Sequence, residues 1–243
     1  SDGEGKVYWT IGDHGLSGSR YFWTNGSRPV EMRPFDSGFT ISANVGNNAD
    51  ITFNTTGADG NPYTITIGDG TKGHFDRTGA LTVIGAGKVL VNAVNSLSGA
   101  VTVSGTATLA INPGKKMTTG LISVANGAML EVAQSGTVTL EGDLALANDA
   151  VLAFNFTDRN VPKLGIASGK SVTASGVVKV KITAAKGVRP KSGENVLTSC
   201  GGFAGKTVTL VDGYPNWVHG VSVNDDGNIV LTVKPAGTRV IIR

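Results

Sequence analysis

The chain has 243 residues, 40% of them hydrophobic, only 16% charged and 35 of them glycine, with a formal net charge of +3. That length suits a single all-β domain, since sandwiches, barrels and solenoids of this size are routinely one unit. No apolar run approaches the roughly eighteen residues of a membrane-spanning helix, and the single cysteine, Cys200, excludes an internal disulfide.

Residues 1–79 read as an irregular, aromatic-rich cap followed by the first strands. Tyr8, Trp9, Tyr21, Phe22, Trp23, Phe35, Phe39 and Phe53 all fall here. Alternating apolar and polar residues predict strands over 39–43, 51–53 and 63–67, separated by Gly/Asn/Asp turns. The opening Ser1-Asp-Gly-Glu-Gly has no basic-then-apolar pattern, so no signal peptide is expected. The chain is expected to be a piece of a longer protein, or one whose signal has been removed.

Residues 80–194 carry a repeat. Segments 81–91, 101–111 and 122–132 each read as a short alternating strand, a glycine-marked bend and a second short strand, with Gly85, Gly105 and Gly127 spaced 20 and then 22 positions apart. A period in the twenties is the signature of a solenoid, and such a unit must stack on its neighbours to bury its apolar face. Val83, Val103 and Val124 hold equivalent places, which predicts one inward row, paired parallel and in register at about 4.8 Å. The strand–bend–strand logic continues over 138–146, 151–156 and 177–183. Between Asp76 and Gly202 only Phe154 and Phe156 are aromatic, so the core should be a thin one of Val, Leu, Ile and Ala.

Residues 195–243 change character and are expected to form a C-terminal β cap, continuous with the rest as one domain. Strands are predicted over 207–211 and 229–233, and Asn224-Asp-Asp-Gly-Asn228 reads as the hairpin turn between 221–223 and Ile229. Tyr214 and Trp217 supply bulk that the middle lacks. The open ends of a solenoid would recruit other chains, and aromatic segments at both ends read as caps. The fold class expected is all-β, a β-solenoid with aromatic-rich terminal caps.

The pattern around Gly85, Gly105 and Gly127 resembles the autotransporter-associated β-strand repeat, a module of passenger regions in large secreted or surface proteins of Gram-negative and related bacteria. Residues 88–109 carry the best match: Asn95, Gly99, Gly105, Thr106 and Leu109 fit its strand, Asn-x-x-x-Gly, strand, Gly-Thr-Leu order. Leu97, where the family often has an aromatic residue, and Ala107-Thr108, which delay the leucine, depart from it. Residues 203–233 look similar to the closing segment after such arrays. The resemblance implies a right-handed parallel β-helix and an extracellular location, and it carries no catalytic residues.

Candidate sites are few. Residues 1–79 hold six Lys/Arg against nine Asp/Glu, and residues 80–243 hold fifteen against nine. Arg159, Lys163, Lys170, Lys179, Lys181, Lys186, Arg189 and Lys191 follow one another without an acid. Lys179 and Lys181 alternate with Val178, Val180 and Ile182, which puts both on the outward face of one strand. Such a stripe could hold an anionic glycan or envelope phosphates. The plainer account, preferred here, is that lysine blocks unwanted pairing of exposed strands. Trp9 and Trp23, near Asp13, Arg20 and Asn25, could offer flat faces to sugar rings, but packing in the N-terminal cap is the plainer reading. Nucleic acid is not expected as a partner, because no aromatic residue is interleaved with the lysines.

No enzyme is expected. Asp13-His14, Asp69, Asp76 and Asp225-Asp226 are the nearest carboxylate groupings, and a polygalacturonase-like enzyme would place its Asp-Asp before its histidine, whereas Asp225-Asp226 follows His219. His14, His74 and His219 lack metal-ligand spacing, and neither a metal nor a cofactor is implied. Asn25, Asn54 and Asn155 match the N-glycosylation pattern by chance composition. Cys200, beside Gly201 and Gly202, reads as a buried small residue.

The expectation is therefore a non-catalytic, extracellular β-solenoid module of a secreted or surface-exposed bacterial protein, stalk or adhesin-like. Its expected partners are host or bacterial glycans or other surface proteins, with no membrane insertion by this segment. The alternative is a β-helix that binds or cleaves an anionic polysaccharide, and a weaker third reading is a phage tail-fibre segment.

Overall fold

The computed structural model describes residues 7–11, 22–23, 29–42, 45–47, 50–68, 75–77, 79–92, 95–97 and 99–235; for 7–11, 22–23, 45–47, 75–77, 95–97 and 116–117 it describes the backbone alone. Every regular element among them is a strand, so none forms a helix that could cross a membrane. β1 (Val7–Ile11) and β2 (Phe22–Trp23) open the chain. Complete three-strand coils follow: β3 (Val30–Pro34), β4 (Phe39–Ile41) and β5 (Val45–Asn47); β6 (Ile51–Asn54), β7 (Thr64–Ile67) and β8 (Phe75–Arg77); β9 (Leu81–Ile84), β10 (Lys88–Val91) and β11 (Asn95–Leu97). The next coils are β12 (Val101–Val103), β13 (Thr108–Ile111) and β14 (Lys116–Thr118); β15 (Leu121–Val124), β16 (Met129–Val132) and β17 (Gly136–Leu140); β18 (Asp143–Leu146), β19 (Val151–Phe156) and β20 (Pro162–Ile166). The chain closes with β21 (Val172–Ala174), β22 (Val177–Ala184), β23 (Gly193–Val196), β24 (Thr198–Ser199), β25 (Thr207–Leu210), β26 (Val218–Val223) and β27 (Ile229–Val233).

Corresponding strands of successive coils stack into three eight-stranded sheets. The first runs β1-β3-β6-β9-β12-β15-β18-β21, the second β4-β7-β10-β13-β16-β19-β22-β25 and the third β2-β5-β8-β11-β14-β17-β20-β24. The ladders within them are parallel, as a coil that always turns the same way requires, and the fold is a parallel β-solenoid. Val103 pairs with Val83 on one side and Val124 on the other, and all three are at most 1% exposed, so the inward row expected from the repeat is present. It extends through Met32, Phe53, Leu146 and Ala174. Each buried Val, Leu or Ile contributes roughly 1.5–3 kcal/mol, too little for one coil to offset its own ordering entropy, so stacking on neighbours supplies the remainder.

Two features of the sequence reading shift. The parallel pairing does not begin at residue 80: β1 pairs with β3, β3 with β6 and β6 with β9, all in the first sheet. Residues 195–243 are not wholly a cap either, because β24 and β25 are the last strands of the third and second sheets. Only β23, β27 and β26 form a separate antiparallel sheet. Its hairpin is the expected one: Val223 pairs with Ile229, the Asn224 N–H donates to the Asn228 carbonyl at 3.0 Å, and Gly227 has φ +70°. Trp217, 8% exposed, meets Phe156 edge to face with ring centroids 5.5 Å apart, and Phe203 is fully buried, so the C-terminal end does carry aromatic bulk.

The bends between the first and second sheets need a left-handed residue, and glycine supplies it at Gly105 (φ +67°) and Gly127 (φ +74°). Gly105 sits two places after Val103 and Gly127 three after Val124, so of the two extra residues in the 22-position spacing one lies inside the turn and the other in the coil between Val103 and Val124. One coil later the corresponding residue is Asp149 (φ +62°), the one described non-glycine residue with positive φ.

Candidate functional site

β22 is eight residues long, the longest described strand, and its burial alternates strictly over Val177–Ile182. Val178, Val180 and Ile182 are at most 1% exposed. Lys179 and Lys181 therefore point outward, as expected from their spacing, on the outer face of the second sheet. Lys179 is opposite Val151 and Thr209, and Lys181 is opposite Ala153. Both are half-buried.

The two lysines differ in electrostatic company. The Lys179 ammonium lies 3.2 Å from the Asp149 carboxylate, with side chains 44% and 34% exposed. Lys181 has no ion-pair partner among the described residues. The remaining basic residues of the stretch do not join them in one stripe: Lys163 is on β20 in the third sheet, Lys170 is in the exposed turn before β21, and Lys186, Arg189 and Lys191 follow β22.

Trp9 lies in β1 opposite Met32 of the first sheet, and Trp23 in β2 opposite Gly46 of the third. Their backbones thus belong to the opening coil, on different sheets; their side chains lie outside the described residues. Asp13, His14, Arg20, Asn25, Asp69 and His74 are also outside them. Asp225 and Asp226 are exposed in the hairpin turn, and His219 is exposed on β26. Cys200 is half-buried rather than enclosed, and burial pushes its thiol upward. No group of three or more His, Cys, Asp or Glu among the described residues could hold a metal ion.

The site that sequence reasoning missed lies where β22 outruns its neighbour. β25 pairs with β22 only over Val177–Val180, and after the Val211 N–H donates to the Val180 carbonyl at 2.9 Å the chain turns away through Gly213 (φ +85°). Among the described residues, the second half of β22 pairs with β19 on one side and with no strand on the other. A cavity of about 580 Å³ opens there, lined among others by Thr183, Val188, Arg189, Pro215, Asn216 and Trp217. Its far wall is the turn after β22, where the Val188 N–H donates to the Ala185 carbonyl at 3.0 Å and Gly187 has φ +77°.

Two long-range contacts hold this cavity in shape. The Arg189 guanidinium donates to the Lys234 carbonyl, and the Lys234 ammonium donates to the Asn216 carbonyl at 2.9 Å. Arg189 is half-buried and has no carboxylate partner among the described residues. Thr183, exposed at the cavity, donates to the Asn155 side-chain carbonyl at 3.1 Å and keeps its lone pairs for other donors. The volume falls within the range of small-ligand sites, roughly 300–1,000 Å³.

Comparison with protein-family models, with curated proteins and with solved structures finds no match to this chain.

Proposed function

We propose that this chain is a non-catalytic solenoid module of a secreted or surface-exposed bacterial protein, a stalk or adhesin-like segment. One observation carries the reading: among the described residues, polar side chains repeatedly tie one coil to another. Asn54 donates to Glu31 at 3.0 Å, Asn112 to Asn92 at 2.8 Å and Thr118 to Glu141 at 2.8 Å. Lys88 reaches Glu131 at 2.7 Å across the intervening strand β13, and Lys179 meets Asp149 from the preceding coil. The similarity of residues 88–109 to autotransporter-associated repeats supports the bacterial, extracellular part of the proposal.

The test of the non-catalytic claim is to incubate the purified chain with acidic and neutral polysaccharides and follow their mass by size-exclusion chromatography. Unchanged polymer mass over many hours is expected. A progressive fall would overturn it in favour of a cleaving β-helix. A second reading, binding of an acidic polysaccharide without cleavage, is favoured by the cavity at the end of β22 and the cations beside it; it fits an adhesin as well as a stand-alone binding module.

A further inference from the structure

We infer that the cavity beyond Val180 is a binding site for an acidic, carboxylate-bearing saccharide, with Arg189 holding a carboxylate and Lys181 meeting the next acidic group along the chain. The inference deepens the polysaccharide-binding reading and rests on it. Three features converge. The first is the free edge of β22. In a parallel ladder alternate residues bond to opposite neighbours, and the Lys179 and Ala185 N–H groups go to the carbonyls of Ala150 and Phe156 at the β19 side. Ile182 and Ala184 therefore aim their backbone groups at the side that β25 has left, and both line the cavity. Ile182 is 1% exposed, so it is the half-buried Ala184 whose N–H is placed as a donor for an anion or a hydroxyl.

The second feature is charge. Lys186 and Lys234 flank Arg189 on the segments that form the cavity, against one acid, Asp212, exposed beside Gly213. The guanidinium fork matches a carboxylate in a way an ammonium does not, and one bond to the Lys234 carbonyl leaves most of its five donors free. The third is the direction of the outward row. Lys179, Lys181 and Thr183 follow one another on the outer face of β22 at about 6.6 Å per pair of residues, so the row runs from the sheet to the cavity. Thr183 and the exposed Asn216 match sugar hydroxyls, while Val188, Pro215 and Trp217 offer apolar surface. A peptide added as a strand fits less well, since only Ile182 and Ala184 of the β22 edge lack a strand partner among the described residues.

The experiment is a titration of the whole chain with a galacturonate tetramer, its fully methyl-esterified form and an acidic peptide of equal charge. It is run at low salt and at 0.15 M, where the Debye length is about 8 Å. The expected result is salt-sensitive binding of the free acid alone. Binding should fall about tenfold or more in Arg189→Ala, as for a lost hydrogen bond to a charged group, and also in Arg189→Lys, which keeps the charge and loses the fork. Thr183→Leu, which crowds the mouth of the cavity without touching the Arg189–Lys234 contact, should weaken binding in the same way and serves if the Arg189 variants unfold. Tetramer binding that survives Arg189→Lys and Thr183→Leu would overturn the cavity assignment while leaving the polysaccharide reading standing. Equal binding of the methyl ester, or binding of the peptide alone, would overturn the ligand class. No tetramer binding at low salt would remove both the site and the reading it rests on.

Discussion

Asp149 occupies a backbone conformation that its homologous turns give to glycine. The left-handed region costs an ordinary L-residue about 1–2 kcal/mol, less for Asp and Asn, whose short side chains bond locally. Asp149 accepts from the Asn148 amide at 2.9 Å and meets Lys179, an exposed pair worth about 1 kcal/mol at most. Asp149→Gly relieves the strain and loses the pair, so its stability should stay within about 1 kcal/mol of the parent. Asp149→Ala keeps the strain and loses the pair, and should be the least stable of the three. Urea midpoints check this ranking, and an alanine variant as stable as the glycine one would show that strain plays no part.

Asp143 makes a different kind of contribution. Its carboxylate accepts the Ser171 N–H at 2.8 Å and the Ser171 hydroxyl at 3.0 Å, and these bonds, the backbone one first, hold it below the usual carboxylate range, with Lys170 adding to the effect. A carboxyl with a lowered folded-state pKa stabilises above its unfolded value, about 3.9, and the stabilisation is lost as pH falls through the folded value. Asp143→Asn should therefore melt below the parent at pH 7, and the gap should close as the pH drops below about 3.9. A gap that persists unchanged to pH 2 would contradict this origin.

Among elements, the second sheet gives the cleanest contrast between core and surface. Leu109 on β13 is fully buried between Val89 and Leu130, and its truncation to alanine should cost about 2–5 kcal/mol. Thr102 on β12 is exposed in the outward row of the first sheet, and Thr102→Ala should change stability by less than about 0.5 kcal/mol. Chemical denaturation of the two variants tests it; similar small losses in both would mean that the inward rows do not form a close-packed core. Hydrogen exchange in the leucine variant should quicken first in β10, β13 and β16, because each coil is held by its neighbours.

The same elements explain which parts of the fold were legible. Val83, Val103 and Val124 were, because their coils differ by no more than a residue and the alternation is strict. The coils before them were hidden by an insertion: Phe53 pairs with Val83, thirty residues on, across the loop that contains Asp59 and Tyr63. There the buried Thr55 hydroxyl donates to the Ile84 carbonyl and accepts from the Gly87 N–H, both at 2.8 Å, adding side-chain bonds that no period records to the backbone bond from the Thr55 N–H to the same carbonyl. At the candidate site, the outward placement of Lys179 and Lys181 followed from alternation alone. The cavity did not, because Arg189 and Lys234 are 45 positions apart and the end of β25 is set by Gly213 rather than by β22.

At the scale of the whole molecule, eight strands per sheet at about 4.8 Å give a prism roughly 34 Å long. Its second sheet carries the lysine row on the outside, and an antiparallel sheet sits at its C-terminal end. Coils that bond to their neighbours through both backbone and side chains fit the proposed stalk or adhesin-like role. The proposal that this prism stands outside a bacterial cell is tested most directly by antibody labelling of the organism that makes it, using serum raised against the purified chain. Intact cells, or the culture medium, should carry the signal before any permeabilisation, and external protease should remove what is cell-bound. Signal that appears only after the cells are opened, in a cytosolic fraction, would contradict the claim.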